Sequence, residues 1–165
     1  NDPDMMEVGN GMSVGEDRAH FSMWAMLAAP LMAGNDVRNM SKETMAILTN
    51  KEVIAVNQDP LGIQGLKYSS NDSLEIWFKP LEKNDWAVCF LNRAISEKTV
   101  EFNWRKNIVT DDLSERKFDA TLFEYQIRDL WTREIIGNTE KTTSLKIPAH
   151  EVKIFRLINT RSTNN

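Results

Sequence analysis

Two carboxylates bracket a proline in Asn1-Asp2-Pro3-Asp4-Met5, where the chain begins. Proline fixes φ, so both Asp side chains are held on a stiff polar turn. On composition alone the plainer reading is a surface turn at a terminus. A second polar pair, Asn35-Asp36, follows Gly34 at the end of the apolar run Pro30-Leu31-Met32-Ala33. Polar residues just past strand ends are where chemistry usually sits in α/β folds. His20 and His150 are the only histidines and lie far apart, so packing or capping suits them better than a metal pair. Cys89, the only cysteine, excludes an internal disulfide and a cysteine-rich zinc site. Inside Trp86-Ala87-Val88-Cys89-Phe90-Leu91 it reads as a small buried hydrophobe.

The elements that must position these residues begin with the stretch from Ser13 to Arg38. Ser13 and Glu16 form a capping box, which predicts a helix running to Ala29. Ala19, Met23, Met26 and Leu27 recur at helical spacing, and Phe21, Trp24, Ala25 and Ala28 add apolar surface on other sides. A helix apolar on most of its circumference packs between layers. Pro30 stops it and pushes Ala29 towards an extended conformation, so Pro30 to Ala33 is expected to be a buried strand. Ser41 then caps a second helix, with Met40 and Met45 placed as a hydrophobic staple, and Lys51 to Asn57 gives another helical turn. The Pro- and Gly-bearing stretch from Gln58 to Gly65 breaks the pattern. A domain boundary is placed there.

Beyond Gly65 the period changes. Leu74 to Lys79, Trp86 to Leu91, Thr99 to Trp104, Phe123 to Trp131, Ser144 to Ile147 and Val152 to Leu157 read as short strands. Turns are expected at Gly137-Asn138 and Pro148-Ala149-His150. Such a series predicts an antiparallel sandwich. The charged stretch from Lys106 to Asp119 reads as a connecting loop, and residues 159–165 as a disordered tail. Trp77, Trp86, Trp104 and Trp131 alternate with polar residues as core-facing positions do, with a sugar-stacking platform as the alternative.

At 165 residues the chain has room for one ordinary domain or two small ones. A 41% apolar fraction with five Trp and seven Phe suffices for a core. A net charge of −4 argues against a nucleic-acid binder, and no apolar run approaches the ~20 residues of a membrane span. No leader is visible, and the first residue is Asn and not Met, which reads as a processed or excised chain. The apolar helix has no visible surface to cover and the lone strand no sheet partner. The first half therefore looks like the last part of a larger α/β domain, leaning on partners outside the chain, whereas residues 66–158 can close a core of their own.

Four stretches together resemble the C-terminal portion of the α-galactosidases (melibiases) of glycoside hydrolase family 27. They are Asn1-Asp2-Pro3-Asp4-Met5; Trp24 with Ala28-Ala29-Pro30-Leu31 and Asn35-Asp36-Val37-Arg38; Asn57-Gln58-Asp59-Pro60-Leu61-Gly62 with Gln64-Gly65; and, more loosely, Arg128-Asp129-Leu130-Trp131 with Pro148-Ala149-His150. The resemblance implies an α/β part plus an all-β part: the last strands and helices of a (β/α)8 TIM barrel over residues 1–60, then an antiparallel β-sandwich over residues 66–158. It makes Asn1 to Met5 the end of barrel strand seven, Ser13 to Ala29 helix seven, Pro30 to Asp36 strand eight and Ser41 to Asn57 helix eight. It implies retaining hydrolysis of a terminal α-linked galactose, which uses one carboxyl group as nucleophile and one as acid/base, about 5–5.5 Å apart. In the family both are aspartates on strands four and six, and neither falls in this chain. Asp2 and Asp4, two residues apart within one strand-seven motif, do not take those roles.

Asp4 and Met5 are the implied substrate-binding residues, Asp4 as an acceptor for sugar hydroxyls and Met5 as an apolar wall. Asn35-Asp36 is expected to shape an exit turn. The resemblance implies no cofactor and no metal. Its partners are a galactoside and the N-terminal barrel portion, with no nucleic acid or membrane, and it leaves room for a homo-oligomer. It favours a secreted or periplasmic location. A carbohydrate-binding module and a purely structural β-sandwich are the competing readings, and neither needs the Asn-Asp-Pro-Asp-Met motif.

Overall fold

A computed structural model describes residues 3–160. Asn1, Asp2 and most of the expected tail, residues 161–165, lie outside the described residues. Three helices come first: α1 (Val14–Met26), α2 (Lys42–Leu48) and α3 (Lys51–Asn57). Both halves of the capping box are present at Ser13 and Glu16. Ser41 caps α2 through the Thr44 N–H, and the Asn50 side chain caps α3. Helix α1 ends in a Schellman arrangement, with Ala29 N–H donating to Trp24 O and Ala28 N–H to Ala25 O. Ala28 takes the left-handed position there, at φ 53°, which is usually filled by glycine.

Ten strands follow: β1 (Leu66–Asn71), β2 (Leu74–Pro80), β3 (Trp86–Asn92), β4 (Lys98–Phe102), β5 (Ile108–Asp111), β6 (Arg116–Asp119), β7 (Tyr125–Asp129), β8 (Ile135–Asn138), β9 (Thr143–Ile147) and β10 (Val152–Asn159). Six form one antiparallel sheet in the order β1-β2-β3-β10-β7-β8, and β4-β9 and β5-β6 make two small pairs. Two expectations change here. The charged stretch from Lys106 to Asp119 contains the β5–β6 hairpin, because Val109 and Phe118 pair across it and bury into the core. Gly137-Asn138, expected as a turn, lies at the end of edge strand β8, opposite Ile127 and Gln126.

One core fills the space between the large sheet and the small pairs. Phe78, Trp86, Phe90, Trp104, Phe118, Tyr125 and Phe155 are its bulk, packed largely edge to face. Trp86 and Trp104 are fully buried in it, so neither can serve as a sugar platform.

A second core lies on the opposite face of the same sheet, under the helices. It joins Phe21, Ala25 and Met26 of α1 with Val53 and Val56 of α3, and with Ala87, Cys89, Val152 and Ile154 of the sheet. Helix α1 thus has the surface to cover that seemed to be missing, and the helical part leans on the strands. The unbroken apolar run of β3 has the same cause. Trp86, Val88 and Phe90 face the sandwich core while Ala87 and Cys89 face the helices. A strand buried on both faces cannot alternate with polar residues.

The short strand at Pro30 to Ala33 also differs from expectation. It finds a partner, a parallel bridge between Met6 and Ala33, with Met6 N–H donating to Met32 O and Gly34 N–H to Met6 O. It is not buried, since Pro30, Met32 and Ala33 are exposed, a single neighbouring segment being too little cover.

Lys79 on β2 is fully buried on the helix side, and its ammonium donates to Ala25 O near the C-terminus of α1 at 3.1 Å. Burial pushes it down to about 8, opposed by the nearby Asp59 carboxylate. Below pH 8 both folded and unfolded states hold the proton, so folding carries the whole cost of burying the charge. Between about 8 and the ordinary 10.5 only the unfolded state holds it, so stability should rise with pH. In Lys79→Met that component should vanish, flattening a rise on the order of 3 kcal/mol. Urea unfolding of both proteins from pH 7 to 10.5 checks this; identical pH profiles would refute it.

Candidate functional site

Asp4 and Met5 lie just before the bridge that joins the first segment to the Ala33 strand. Asp4 is exposed, and among the described residues its carboxylate accepts only the neighbouring Met5 N–H, on Oδ1 at 2.9 Å. Most of its acceptor capacity is therefore available. Met5 is 51% exposed. Beside them Gly34 lets the two segments close up: a Cβ there would stand 2.7 Å from Met6 O and 3.2 Å from Met5 Cβ. At the same exit, Asn35 Oδ1 is buried with no partner among the described residues. Asp36 turns the chain, accepting from Arg38 N–H, Arg38 Nε and Asn39 Nδ2, and these bonds hold its carboxyl below the usual range.

The loop after Met6 is tied down at several points. Glu7 N–H donates to His20 Nε2 at 3.2 Å and Gly9 N–H to Asp17 Oδ1 at 3.0 Å. Asn10 Nδ2 reaches Glu7 Oε2 at 2.7 Å and Gly34 O at 3.4 Å. Sequence reading gave His20 a packing or capping role; its link to Glu7 was invisible because the two are thirteen positions apart. His20 and His150, distant in sequence, line one open groove of about 510 Å³ with Glu16, Trp24 and Arg93. Among the described residues no group of three or more His, Cys, Asp or Glu is placed to hold a metal ion. Cys89 is buried, which pushes its thiol up, and its Sγ contacts Met23 Sδ at 3.7 Å.

A larger cleft, of about 1040 Å³, opens on the Pro3 and Pro30 side, between Leu27, Lys67, Trp77 and Asp111. Neither Asp4 nor Met5 lines it. Trp77 does not present a clean ring to it: its Nε1 donates to Glu75 Oε2 at 3.0 Å, and the Lys67 ammonium lies 5.2 Å from the ring centroid. Trp131 is likewise engaged, its Nε1 on Ser22 Oγ at 3.2 Å and its face under the Arg18 guanidinium.

The remaining sequence motifs form a clasp between helices and sheet. Asn57 Nδ2 donates to Ala29 O at 2.8 Å, fixing the entry to the Ala33 strand. Asp59 accepts from Leu61 N–H and Glu82 N–H, at 3.1 and 3.0 Å, tying the connection to the β2–β3 turn. Gly65 N–H donates to Met26 O at 2.6 Å, an approach so close that an added Cβ would stand 3.0 Å from that oxygen. Arg128 makes a two-pronged pair with Glu52 of α3, at 2.8 and 2.6 Å. Asn50 Nδ2 donates to Leu130 O at 3.0 Å, and Asp129 closes the turn by accepting from Trp131 and Thr132 N–H.

Residues 71–157 match a family model described as the α-galactosidase C-terminal β-sandwich domain, and residues 1–59 match one described as α-galactosidase A. The chain is 52% identical over 159 residues to α-galactosidase A of Cellvibrio japonicus, covering 95% of this chain and 39% of that protein. It is 40% identical over 162 residues to α-galactosidase 3 of Arabidopsis thaliana, covering 95% and 35%. The crystal structure of α-galactosidase I from Mortierella vinacea superposes with a TM-score of 0.82 at 31% identity, over 99% of this chain and 41% of that one. The chain thus spans well under half the length of these relatives. With both models matched in chain order, one through the helices and one through the sandwich, the chain belongs to the α-galactosidase (melibiase) family, glycoside hydrolase family 27.

Proposed function

We propose that this chain is the C-terminal part of a retaining exo-α-galactosidase that removes terminal α-linked galactose from oligosaccharides or glycoconjugates. In this reading residues 1–60 are the last of the catalytic barrel, residues 66–158 are the sandwich domain behind it, and the N-terminal barrel portion is the partner it requires. The observation that carries the reading is the parallel bridge between Met6 and Ala33. Adjacent parallel strands joined through a helix are the repeating unit of a (β/α)8 barrel, and this reading assigns the two segments to strands seven and eight.

The residues that act on the sugar in this reading are Asp4 and Met5. Asp4 offers a carboxylate that, among the described residues, accepts only the next residue's N–H, leaving lone pairs for sugar hydroxyls. Met5 supplies an apolar wall against the ring. The nucleophile and the acid/base are both contributed by the earlier barrel strands. The sandwich acts as a brace, since Trp86 and Trp104 are buried and the indole N–H groups of Trp77 and Trp131 are already engaged.

Two outcomes test this. The 165-residue chain should not hydrolyse an aryl α-galactoside, because losing even one member of a catalytic set lowers rates by several orders of magnitude. Turnover by purified chain would overturn the assignment. In the longer enzyme, Asp4→Asn should lower kcat/KM about ten- to hundredfold, from loss of a charge-assisted hydrogen bond, and barely move the melting temperature. A sharp fall in melting temperature with kcat/KM per folded molecule intact would make Asp4 a structural turn residue.

A further inference from the structure

We propose that His20, as the neutral imidazole, is a positioning residue for the strand-seven end, and that its protonation loosens that end. The proposal rests on the reading of Asp4 and Met5 as sugar contacts only for its catalytic consequence.

The hydrogen bond itself dictates the protonation state. Glu7 N–H points at His20 Nε2 across 3.2 Å, so that nitrogen must present its lone pair and the ring proton must sit on Nδ1. An imidazolium would set one N–H against another, and the bond could only break. The ring is held for this task. It is half-buried and stacked on Trp24, with centroids 4.0 Å apart and planes 21° from parallel. Burial favours the neutral form and lowers the imidazole from its ordinary 6.5, opposed by the Asp17 and Glu7 carboxylates.

The other charged groups around the ring are few. Glu16 lies on the same helix, and Arg93 and His150 come from across the groove, at the end of β3 and in the β9–β10 turn. Glu151 stands over Gly15, one turn earlier.

The latch matters because of where Glu7 is. Met6 is fixed by main-chain bonds to Met32 and Gly34, and Asp17 takes the Gly9 N–H. Glu7 lies between these two anchors and is two residues past Met5. Without the His20 bond, Glu7 N–H loses its partner and the bridge at Met6, which sets where Met5 and Asp4 stand, loses one of its supports on the helix side. Asp17 and the buried side chains of Met6 and Val8 would remain to hold it on the helix side.

Amide hydrogen exchange of Glu7 in the 165-residue chain tests the latch. After correction for the intrinsic pH dependence, protection should fall about tenfold as the His20 imidazole is protonated, the His20 titration being followed by NMR. His20→Gln, whose side-chain oxygen accepts without titrating, should keep protection at all pH values, and His20→Leu should lack it throughout. Protection that ignores the imidazole titration, or pH dependence that persists in His20→Gln, would overturn the proposal.

In the longer enzyme the KM for an aryl α-galactoside should rise on the acid side in the parent and stay level in His20→Gln. If Asp4→Asn is costly but the two KM profiles coincide, the positioning role fails while the site reading stands. If Asp4→Asn is harmless, the site reading fails, and the exchange result decides the latch alone.

Discussion

The structure depends on covering the second face of the six-stranded sheet. One face closes the sandwich core. The other carries Ala87, Cys89, Val152 and Ile154, all buried in one cluster with residues of α1, α2 and α3. Apolar surface favours burial by roughly 25 cal/mol per Å², so a sandwich stripped of its helices would expose a continuous apolar band along β3 and β10. The small side chains Ala87 and Cys89 let the helix approach closely enough for Phe21, Ala25 and Met26 to fill the space.

The polar groups at this junction follow from that packing. Helix ends and strand ends brought against each other carry unpaired carbonyls and N–H groups, which are costly to bury without partners. Asn50 and Lys79 each donate to such a carbonyl across the junction, on Leu130 and Ala25 respectively, while Asn57 donates to Ala29 O within the helical part. Arg128 and Glu52 are partly exposed, and their two-pronged geometry fixes orientation as much as it adds stability. Asn57 and Asp59 are motif residues by which the family is recognised, yet both do structural work: Asn57 ties α3 to the chain after α1, and Asp59 joins the helical part to the β2–β3 turn.

The Met6–Ala33 pair stands apart from this packing. It has the hydrogen bonds of a parallel sheet without its cover, and Met5, Met32 and Val37 are exposed around it. Barrel strands are normally buried on both faces. The apolar character of Leu31 and Met32 fits a place inside a larger barrel better than the surface it occupies here. Gly34 and Asn35 carry the same imprint, one as a point of closest approach to Met5 and Met6, the other as a buried acceptor without a partner among the described residues.

Local chemistry was legible in the sequence. The capping box at Ser13 and Glu16, the cap at Ser41 and the alternation of Thr99 to Phe102 each depend on residues a few positions apart, and each is present, whereas α1 ends at Met26, short of the expected Ala29, in the turn at Ala28 that precedes Pro30. The proposal of Asp4 and Met5 as sugar contacts has a different basis, the resemblance of their motif to a family pattern. What the sequence could not decide was long-range partnership. The β5–β6 hairpin hides in a charged run because Val109 and Phe118 are its only buried apolar residues, its other buried side chains being the carboxylates Asp111 and Asp119. Lys79 looked like an ordinary polar strand position until α1 was laid over it. The Ala33 strand looked unpartnered because its partner, Met6, is not a strand by any local measure and becomes one only by lying beside it. His20 reaches Glu7, and His150 shares its groove, through the turn of a helix and the closing of a sheet. Side-chain type and spacing fix what one residue can do with its neighbours in the chain; which distant group it meets is decided by how apolar faces pack, and that exists only in the folded molecule.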